Sequence, residues 1–541
     1  LILSSFCIPW KDLMHTKMFL YVDPDDIDSP QAILALIRKQ LNLPADADPE
    51  YVIHRKSIDA RKKRPRFLLD IEVFYLETLQ KKTPFQVNFK PVSTDYRVVI
   101  VGAGPAGYFA ALELLEHGIR PILMERGRDV TSRRKDIQQI HSKGIVNPHS
   151  NYCFGEGGAG AYSDGKLYTR SHKRGDIGRV LSLLVAHGAL EDILIDAHPH
   201  IGSNRLPRVV KSIRETILSN GGEIHFESWV TDLIIESGIV TGVVVEEKGK
   251  IQADAVILAT GHSARDIFEL LDRKKILIES KPFAIGVRVE HPQSLIDRIQ
   301  YHHSPRHPKL PAASYQLVEQ VDGRGVFSFC MCPGGFIVPA ATAPGELVVN
   351  GMSLAGRDTP FSNSGVVVEV RLEDIDAASK KGPLAAMNFQ KELEQQAFQA
   401  GGNGLMAPAQ RMTDFVAGKL SSVLPKASYK PGIVSAPVHE LLPEGIRRRL
   451  QTAFKAFDRK MKGYYTEEAL VLAIESRTSS PVRIPRDENT LMHPQIQHLY
   501  PCSEGAGYAG GIVSAALDGQ RVARQVSENM GQGVGGQVKK P

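Results

Sequence analysis

Cysteine is scarce. The 541 residues hold five, an odd number, scattered at Cys7, Cys153, Cys330, Cys332 and Cys502, which excludes a disulfide scaffold and fits a reducing cytoplasm. Neither sign of charge dominates: a formal net charge of +6 over this length permits a polyanionic partner without arguing for one. No run of about 18 apolar residues occurs, which argues against a membrane span. The apolar opening, Leu1 to Trp10, lacks a basic flank and a small-residue cleavage site, so it does not read as a signal peptide. Met14 and Met18 stand just ahead of the first good strand, and residues 1–17 read as an extension with no structural role. No His, Cys or carboxylate group shows metal-ligand spacing. A hydrophobic share of 42% and a charged share of 23% are those of an ordinary globular protein. The length calls for two or three domains on a prior of about 150 residues each.

Glycine, by contrast, is concentrated where it organises the rest of the chain. Arg97 to Gly107 (RVVIVGAGPAG) reads as a buried parallel strand, a glycine turn and a helix start in succession. Gly102, Gly104 and Gly107, with Ala106 among them, supply the spacing needed for a tight turn, close backbone approach to a pyrophosphate, and helix packing. The pyrophosphate then meets unpaired N–H groups at the positive end of the helix. The helix closes at Gly118, and the strand Ile122 to Met124 runs into Glu125 and Arg126. An acid eighteen residues past Gly107 is placed to accept hydrogen bonds from ribose hydroxyls and repels a 2′-phosphate, which favours FAD or NAD over NADP.

On the N-terminal side, Phe19 to Val22, a helix from Ser29-Pro30 through Leu41, and the alternating Phe67, Leu69, Ile71, Val73 and Tyr75 predict a small β-α-β unit. Its basic run, Arg61 to Arg64 with Arg55 and Arg66, reads as a solvated loop between strands. Residues 83–93 read as a linker. Beyond Glu125, Asn151 to Lys166 is dense in glycine, but no apolar strand precedes it and no helical period follows, so it is not a second nucleotide fold. Its Gly157, Gly158, Ala159 and Gly160 let backbone approach something flat or anionic, and Ser163, Asp164 and Lys166 add polar anchors. A helix from Pro207 to Asn220 and a β-meander over 230–261 follow. Residues 275–470 mix strands such as Phe283 to Glu290, Gly325 to Cys330 and Leu347 to Asn350 with a helix near 384–399. No further strand and Gly-x-Gly-x-x-Gly unit occurs there, which excludes a separate nicotinamide domain.

These motifs resemble those of flavoproteins with a glutathione-reductase-like FAD domain, in which a meander leads to a strand ending Ala-Thr-Gly, here Ala259 to Gly261. In more detail, the chain is similar to the FAD-dependent dehydrogenase-like family of bacteria and plastids from Met18 to Val526. The similarity rests on RKSIDARK from Arg55, the fingerprint ending at Gly107, FGEGGAG from Phe154, SDGKL from Ser163, GHSARD from Gly261, FCMCPGG from Phe329, ESRTSSPVR from Glu475 and EGAGYAGG from Glu504. It departs at Cys502-Ser503. The resemblance implies an α/β fold: a Rossmann-like FAD-binding domain over 91–274 and 471–530, an inserted α+β substrate or interaction domain over 275–470, a small α+β domain over 18–90, and a flexible tail over 531–541. It further implies non-covalent FAD, with main-chain contacts to adenine near Val230, backbone approach at Thr260 and Gly261, and closure over the ribityl chain by Glu504, Gly505, Gly510, Gly511 and Ile512. It names no substrate.

Candidate chemistry therefore comes from polar residues beside the cofactor motifs. His262 follows the Ala-Thr-Gly turn directly and is a candidate to face the flavin. Arg477, framing Thr478 to Pro481 with Arg483, is a candidate bidentate clamp for a substrate carboxylate; a structural ion pair with Glu475 is the competing role. Cys330 and Cys332 are set aside as a disulfide-reductase site on the expectation that their thiols diverge along the strand. The expected function is an FAD-dependent oxidoreductase passing hydride between flavin N5 and an organic small molecule, with NAD(P)H admitted as a transient donor. The alternative is a flavin-containing, RNA-associated or redox-sensing protein using the basic N-terminal run.

Overall fold

The computed structural model describes residues 15–76, 85–93, 95–169, 175–376 and 382–535. At the N-terminal end, the strand His15–Val22 pairs antiparallel with Arg66–Phe74, which also pairs with Glu50–Asp59. Ser29 caps the helix Pro30–Leu41 by accepting from Ala32 N, and the helix buries Ile33 and Ile37. The strand begins earlier than its hydrophobic pattern suggests. His15, Thr16 and Lys17 pair with Phe74, Val73 and Glu72, so these residues of the expected extension have a structural role; residues 1–14 lie outside the described residues. Glu50–Asp59 was not legible because it is half-buried along most of its length on both faces, which leaves no alternation to read. The basic run is an exposed turn, and Arg61 places its guanidinium on Asp59 through Nε at 2.9 Å and Nη2 at 2.6 Å.

The fingerprint strand Arg97–Val101 lies at the centre of a five-stranded parallel sheet. The order is Leu499–Pro501, Ala255–Leu258, Arg97–Val101, Arg120–Met124 and Glu223–His225. The three central strands are buried on both faces apart from the exposed ends at Arg97 and Arg120, as continuous β-branched and aliphatic runs require. The helices Pro105–Glu116, Leu206–Ser219 and Ile512–Gly535 join one core cluster with the sheet. The last of these carries residues 531–535 of the expected tail; residues 536–541 are not described. The meander Val230–Glu236, Ile239–Val245 and Gly249–Gln252 forms its own three-stranded antiparallel sheet.

Between Leu258 and Leu499 the chain builds a seven-stranded sheet. Its order is Val318–Val321, Arg324–Cys332, Phe361–Val370, Phe283–Pro292, Leu470–Glu475, Ala407–Arg411 and Ile433–Ser435. The first six strands run antiparallel to their neighbours, and the last pairs parallel. The helices Ala385–Ala400 and Glu444–Lys460 pack on it, and Phe336–Pro339 with Val349–Met352 forms a short hairpin beside it. Leu20, Ile37 and Leu69 of the N-terminal sheet share a core with Ile285, Val287 and Val366 of this larger sheet. Glu279–Ser280 and Val482–Arg483 pair with each other where the chain leaves and rejoins the nucleotide-type sheet.

Candidate active site

The three glycines of the fingerprint do three different jobs. A Cβ at Gly102 would stand 2.5 Å from the Ala259 carbonyl oxygen of the adjacent strand, and one at Gly107 would collide with the Gly102 carbonyl. Both positions are closed by protein. Gly104 is different: its backbone, at φ −79° and ψ −175°, suits any residue, and the nearest atom to a Cβ there is Gly158 Cα at 3.9 Å. The second glycine therefore keeps space free above the start of the helix Pro105–Glu116, which is what a pyrophosphate on helix N–H groups needs.

That space is the middle of a cleft enclosing ≈ 1490 Å³, its open mouth included. Sheet order gives the cleft a direction, from Glu125 and Arg126 past Gly102 and Gly104 to Thr260, Gly261, Ser503 and Glu504. At the first end, Glu125 is buried and accepts three backbone N–H groups at 2.9 Å, from Ala103, Gly127 and Gly155. One lone-pair direction remains for a ribose hydroxyl, since an ionised carboxylate offers about four. The carboxylate thus welds the fingerprint turn to the glycine-rich loop as well as facing the cleft. Arg126 pairs with Asp266 at 2.8 Å and lies 4.3 Å from the Phe154 ring and 5.2 Å from that of Trp229. Trp229 Nε1 donates to Asp266 at 2.8 Å. Trp229 and Val230 both line the cleft at this end. Phe154 and Asp266 stand in quoted motifs without an assigned role, and Trp229 was not singled out in the sequence, because nothing local marks an aromatic that meets partners from distant segments.

The glycine-rich loop is folded against this cleft by a charge. Arg133 is fully buried and donates to the carbonyls of Asn151, Gly155, Glu156 and Gly158 at 2.7, 3.2, 2.8 and 2.9 Å. Gly158, Ala159 and Gly160 line the cleft. Gly157 does not: its N–H donates to the Ala103 carbonyl at 2.8 Å, and its Cα faces the Ala161 methyl. Ser163, Asp164 and Lys166 all reach the cleft. Asp164 pairs with Arg357 at 2.5 Å and with Lys166 at 3.4 Å and accepts from the Ser353 hydroxyl. Burial opposes its ionisation, but Lys166 and Arg357 outweigh it and hold the carboxyl well below the usual range.

At the other end, Thr260 Oγ1 is buried without a hydrogen-bond partner, and a Cβ at Gly261 or Gly511 would meet open space. His262 lines the cleft, with Nδ1 3.0 Å from Ser263 Oγ and Nε2 3.9 Å from Glu504 Oε2. Burial lowers its pKa, which keeps the ring neutral and able to take up a proton. Glu504 accepts from Gly511 N at 2.5 Å, so its charge already sits on the first N–H of the helix that opens at Ile512. Gly511 and Ile512 line the cleft, whereas Gly107, Gly505 and Gly510 do not. A Cβ at Gly505 would approach the Gly261 oxygen to 2.8 Å, and Gly510 N donates to Ser514 Oγ at 3.3 Å. Gly107 and Gly505 seat backbone on backbone, and Gly510 meets the Ser514 side chain.

Arg477 lines the cleft, as expected of the clamp, but its guanidinium is largely committed to protein partners. Arg477 is buried and donates from Nε and Nη2 to Glu394 at 3.1 and 2.8 Å, from Nη2 to Glu346 at 3.1 Å and from Nη1 to Thr342 at 2.6 Å. A guanidinium has five N–H groups in a fixed fork, and these bonds leave one, too few for a bidentate carboxylate. Its partner is not Glu475 either, which pairs with Arg288 at 3.0 Å. Arg483 stands outside the cleft, 5.0 Å from the Tyr508 ring. The expectation that Cys330 and Cys332 diverge is also overturned. Residues two apart on a strand share a face, and both sulfurs lie on Lys166 Nζ, at 3.7 and 3.5 Å. With Phe329 of the same strand, Asn350 of the adjoining hairpin and Thr478 just past Leu470–Glu475, Cys330 forms the opposite wall.

These residues fit FAD: an acid and an aromatic wall at one end, an uncovered helix start in the middle, and an unpartnered hydroxyl with two open glycines at the other. Among the described residues no group of His, Cys, Asp and Glu is arranged to hold a metal, and no helix is long and apolar enough to cross a membrane. Residues 95–139 match the family described as FAD binding domain, 199–359 that of FAD dependent oxidoreductase, 282–478 that of FAD-dependent protein, C-terminal domain-like, and 14–74 a domain of unknown function. An uncharacterised protein from Clostridium beijerinckii is 42% identical over 518 residues, covering 91% of this chain and 95% of its own. Among solved structures, glycine oxidase from Bacillus cereus aligns at 13% identity and TM-score 0.30 over 80% of this chain and 96% of that one. A geranylgeranyl bacteriochlorophyll reductase-like protein from Thermoplasma acidophilum aligns at 11% and 0.32 over 81% and 79%. With the nucleotide-type sheet, the cleft and a relative matching along nearly its whole length, the chain belongs to a family of uncharacterised FAD-dependent oxidoreductases and takes FAD as its cofactor.

Proposed function

We propose that this enzyme passes hydride between non-covalently held FAD and an organic small molecule that enters between the parallel sheet and the seven-stranded sheet. FAD supplies the hydride acceptor or donor. The observation that carries the reading is the composition of the cleft. One wall is the nucleotide side, Gly104, Gly160 and Ile512, and the other is Phe329 and Cys330 of the larger sheet with Asn350 and Thr478 beside it. Gly104, Gly158 and Glu125 would hold the ADP half, with Trp229 and Val230 beside the adenine. Thr260 and the backbone at Gly261 and Gly511 meet the ribityl chain. His262, neutral in its buried setting, takes or returns a proton at Nε2, steadied through Ser263 at Nδ1 and Glu504 beside Nε2. Phe329 and the aliphatic side of Ile512 exclude water from between the walls. The glutathione-reductase-like plan of the FAD domain belongs to this reading. One parallel sheet is used by FAD and the described residues contain no second, so NAD(P)H, where it serves as donor, binds transiently in the same cleft.

The purified protein should be yellow, and acid precipitation should release the dye into the supernatant. Anaerobic titration should bleach the flavin with one class of metabolite and only slowly with NADH or NADPH alone. Dye that stays with the pellet, or a flavin that no organic donor bleaches and no organic acceptor re-oxidises, would rule the reading out.

A further inference from the structure

We propose that Cys330 and Cys332 are a redox-active dithiol that exchanges two electrons with the flavin on one side and with small dithiols or disulfides on the other. This rests on FAD lying in the cleft as described above. The pairing of Arg324–Cys332 with its neighbour shifts register between Phe329 and Cys332, and Cys330 adopts φ +47°. A side chain in the left-handed region at a bulge is strained and re-aimed, and such sites cluster where function needs them. The bulge places Cys330 in the wall of the cleft while Cys332 is fully buried behind it.

Two cations converge on the pair. Lys166 Nζ lies 3.7 Å from Cys330 Sγ and 3.5 Å from Cys332 Sγ. The fully buried Arg288 donates from Nη2 to the Cys330 carbonyl at 2.8 Å and approaches Cys332 Sγ at 3.6 Å. The acids nearby are committed: Asp164 to Arg357 and Lys166, and Glu475 to Arg288. The hydrogen bond between the two thiols, reinforced by Lys166 and Arg288 against burial, pulls Cys330 well below the usual thiol range, and the same bond pushes Cys332 well above it. This polarity favours a thiolate at Cys330 and a thiol at Cys332, whose Sγ donates to the Cys330 carbonyl at 3.3 Å.

The step balances within the protein. The Cys330 thiolate and the Cys332 thiol form one S–S bond and release two electrons with the Cys332 proton. Together these amount to one hydride equivalent, which reduces oxidised FAD; the reverse step opens the disulfide. A small dithiol then reduces the disulfide by thiolate attack and exchange, leaving as its own cyclic disulfide.

The test separates the thiols from the flavin. Apoprotein treated with diamide should show an intact-mass loss of two hydrogens and a proteolytic peptide with Cys330 joined to Cys332. Iodoacetamide should alkylate Cys330 with a pH midpoint below the free-cysteine value of about 8.5. Lys166→Met should slow that alkylation at pH 7 by about tenfold, and Lys166→Arg should restore it. In holoprotein, anaerobic dithiothreitol should bleach the flavin in wild type and in Cys153→Ser, and fail to do so in Cys330→Ser and Cys332→Ser at unchanged FAD content. An ordinary alkylation profile, absence of the intramolecular disulfide, or equal bleaching in the serine variants would overturn the dithiol. A chain that forms the disulfide yet binds no FAD would instead overturn the cofactor placement and, with it, the proposed exchange.

Discussion

Asp164 shows how a single residue in this cleft combines fold and chemistry. It is 1% exposed, and its charge is shared by Arg357, Lys166 and Ser353, so removing it strands two cations. Asp164→Ala should cost about 3–5 kcal/mol. Because the folded pKa is depressed, the contribution is fully present above the unfolded value of about 3.9 and is lost as pH falls through the folded one. Urea unfolding of wild type and variant should therefore differ most at neutral pH, and the difference should begin to shrink below about pH 4; a difference that stays constant down to pH 3 would show that the charge contributes nothing. Gly104 and Glu125 were legible residue by residue, because their spacing is dictated by a ligand common to many chains. Arg477 was not: its neighbours Glu346 and Glu394 come from segments more than eighty residues away, and nothing near position 477 announces them.

Among the elements, the helix Ile512–Gly535 connects packing to the cofactor site. Its Gly519 sits directly on Ala106 of the fingerprint helix, where a Cβ would collide with the Ala106 carbonyl oxygen, and its first residue, Ile512, lines the cleft. Gly519→Val must push the two helices apart, at a cost of about 1–3 kcal/mol, and should lower both the melting temperature and the FAD retained on gel filtration. Gly404→Ala, at a position with open space around it, serves as the control and should change neither. Normal FAD content in Gly519→Val would show that the helix crossing does not set the cleft. The strand and helix periods of this region were readable in advance because both faces of the sheet are covered and the apolar runs are continuous. The strand Glu50–Asp59, with no dry face, gave no such signal.

At the level of the whole molecule, the N-terminal sheet is part of the larger sheet's core. Besides the shared apolar cluster, Lys56 N donates to the Ile195 carbonyl at 2.7 Å and Ala197 N to the Lys56 carbonyl at 2.8 Å. Deleting residues 15–76 should therefore expose Leu20, Ile37 and Leu69's partners to water, lower the unfolding midpoint and increase aggregation. A truncated protein as stable as the full chain would show instead that the unit is a detachable module, as an RNA-binding appendage would have to be.

By itself the sequence marked the stretches expected to hold FAD, since glycine turn, helix start and acid are encoded close together and their spacing follows from backbone geometry. Only the tertiary structure decided which charges surround Cys330 and Cys332 on the far side of the cleft. Lys166, Arg288, Cys330, Cys332 and Glu475 come from four separated segments, and their meeting depends on the register of the seven-stranded sheet and on one bulge in it. Register is a property of paired strands, set by how two distant segments bury their faces together, and no local pattern in either strand contains it.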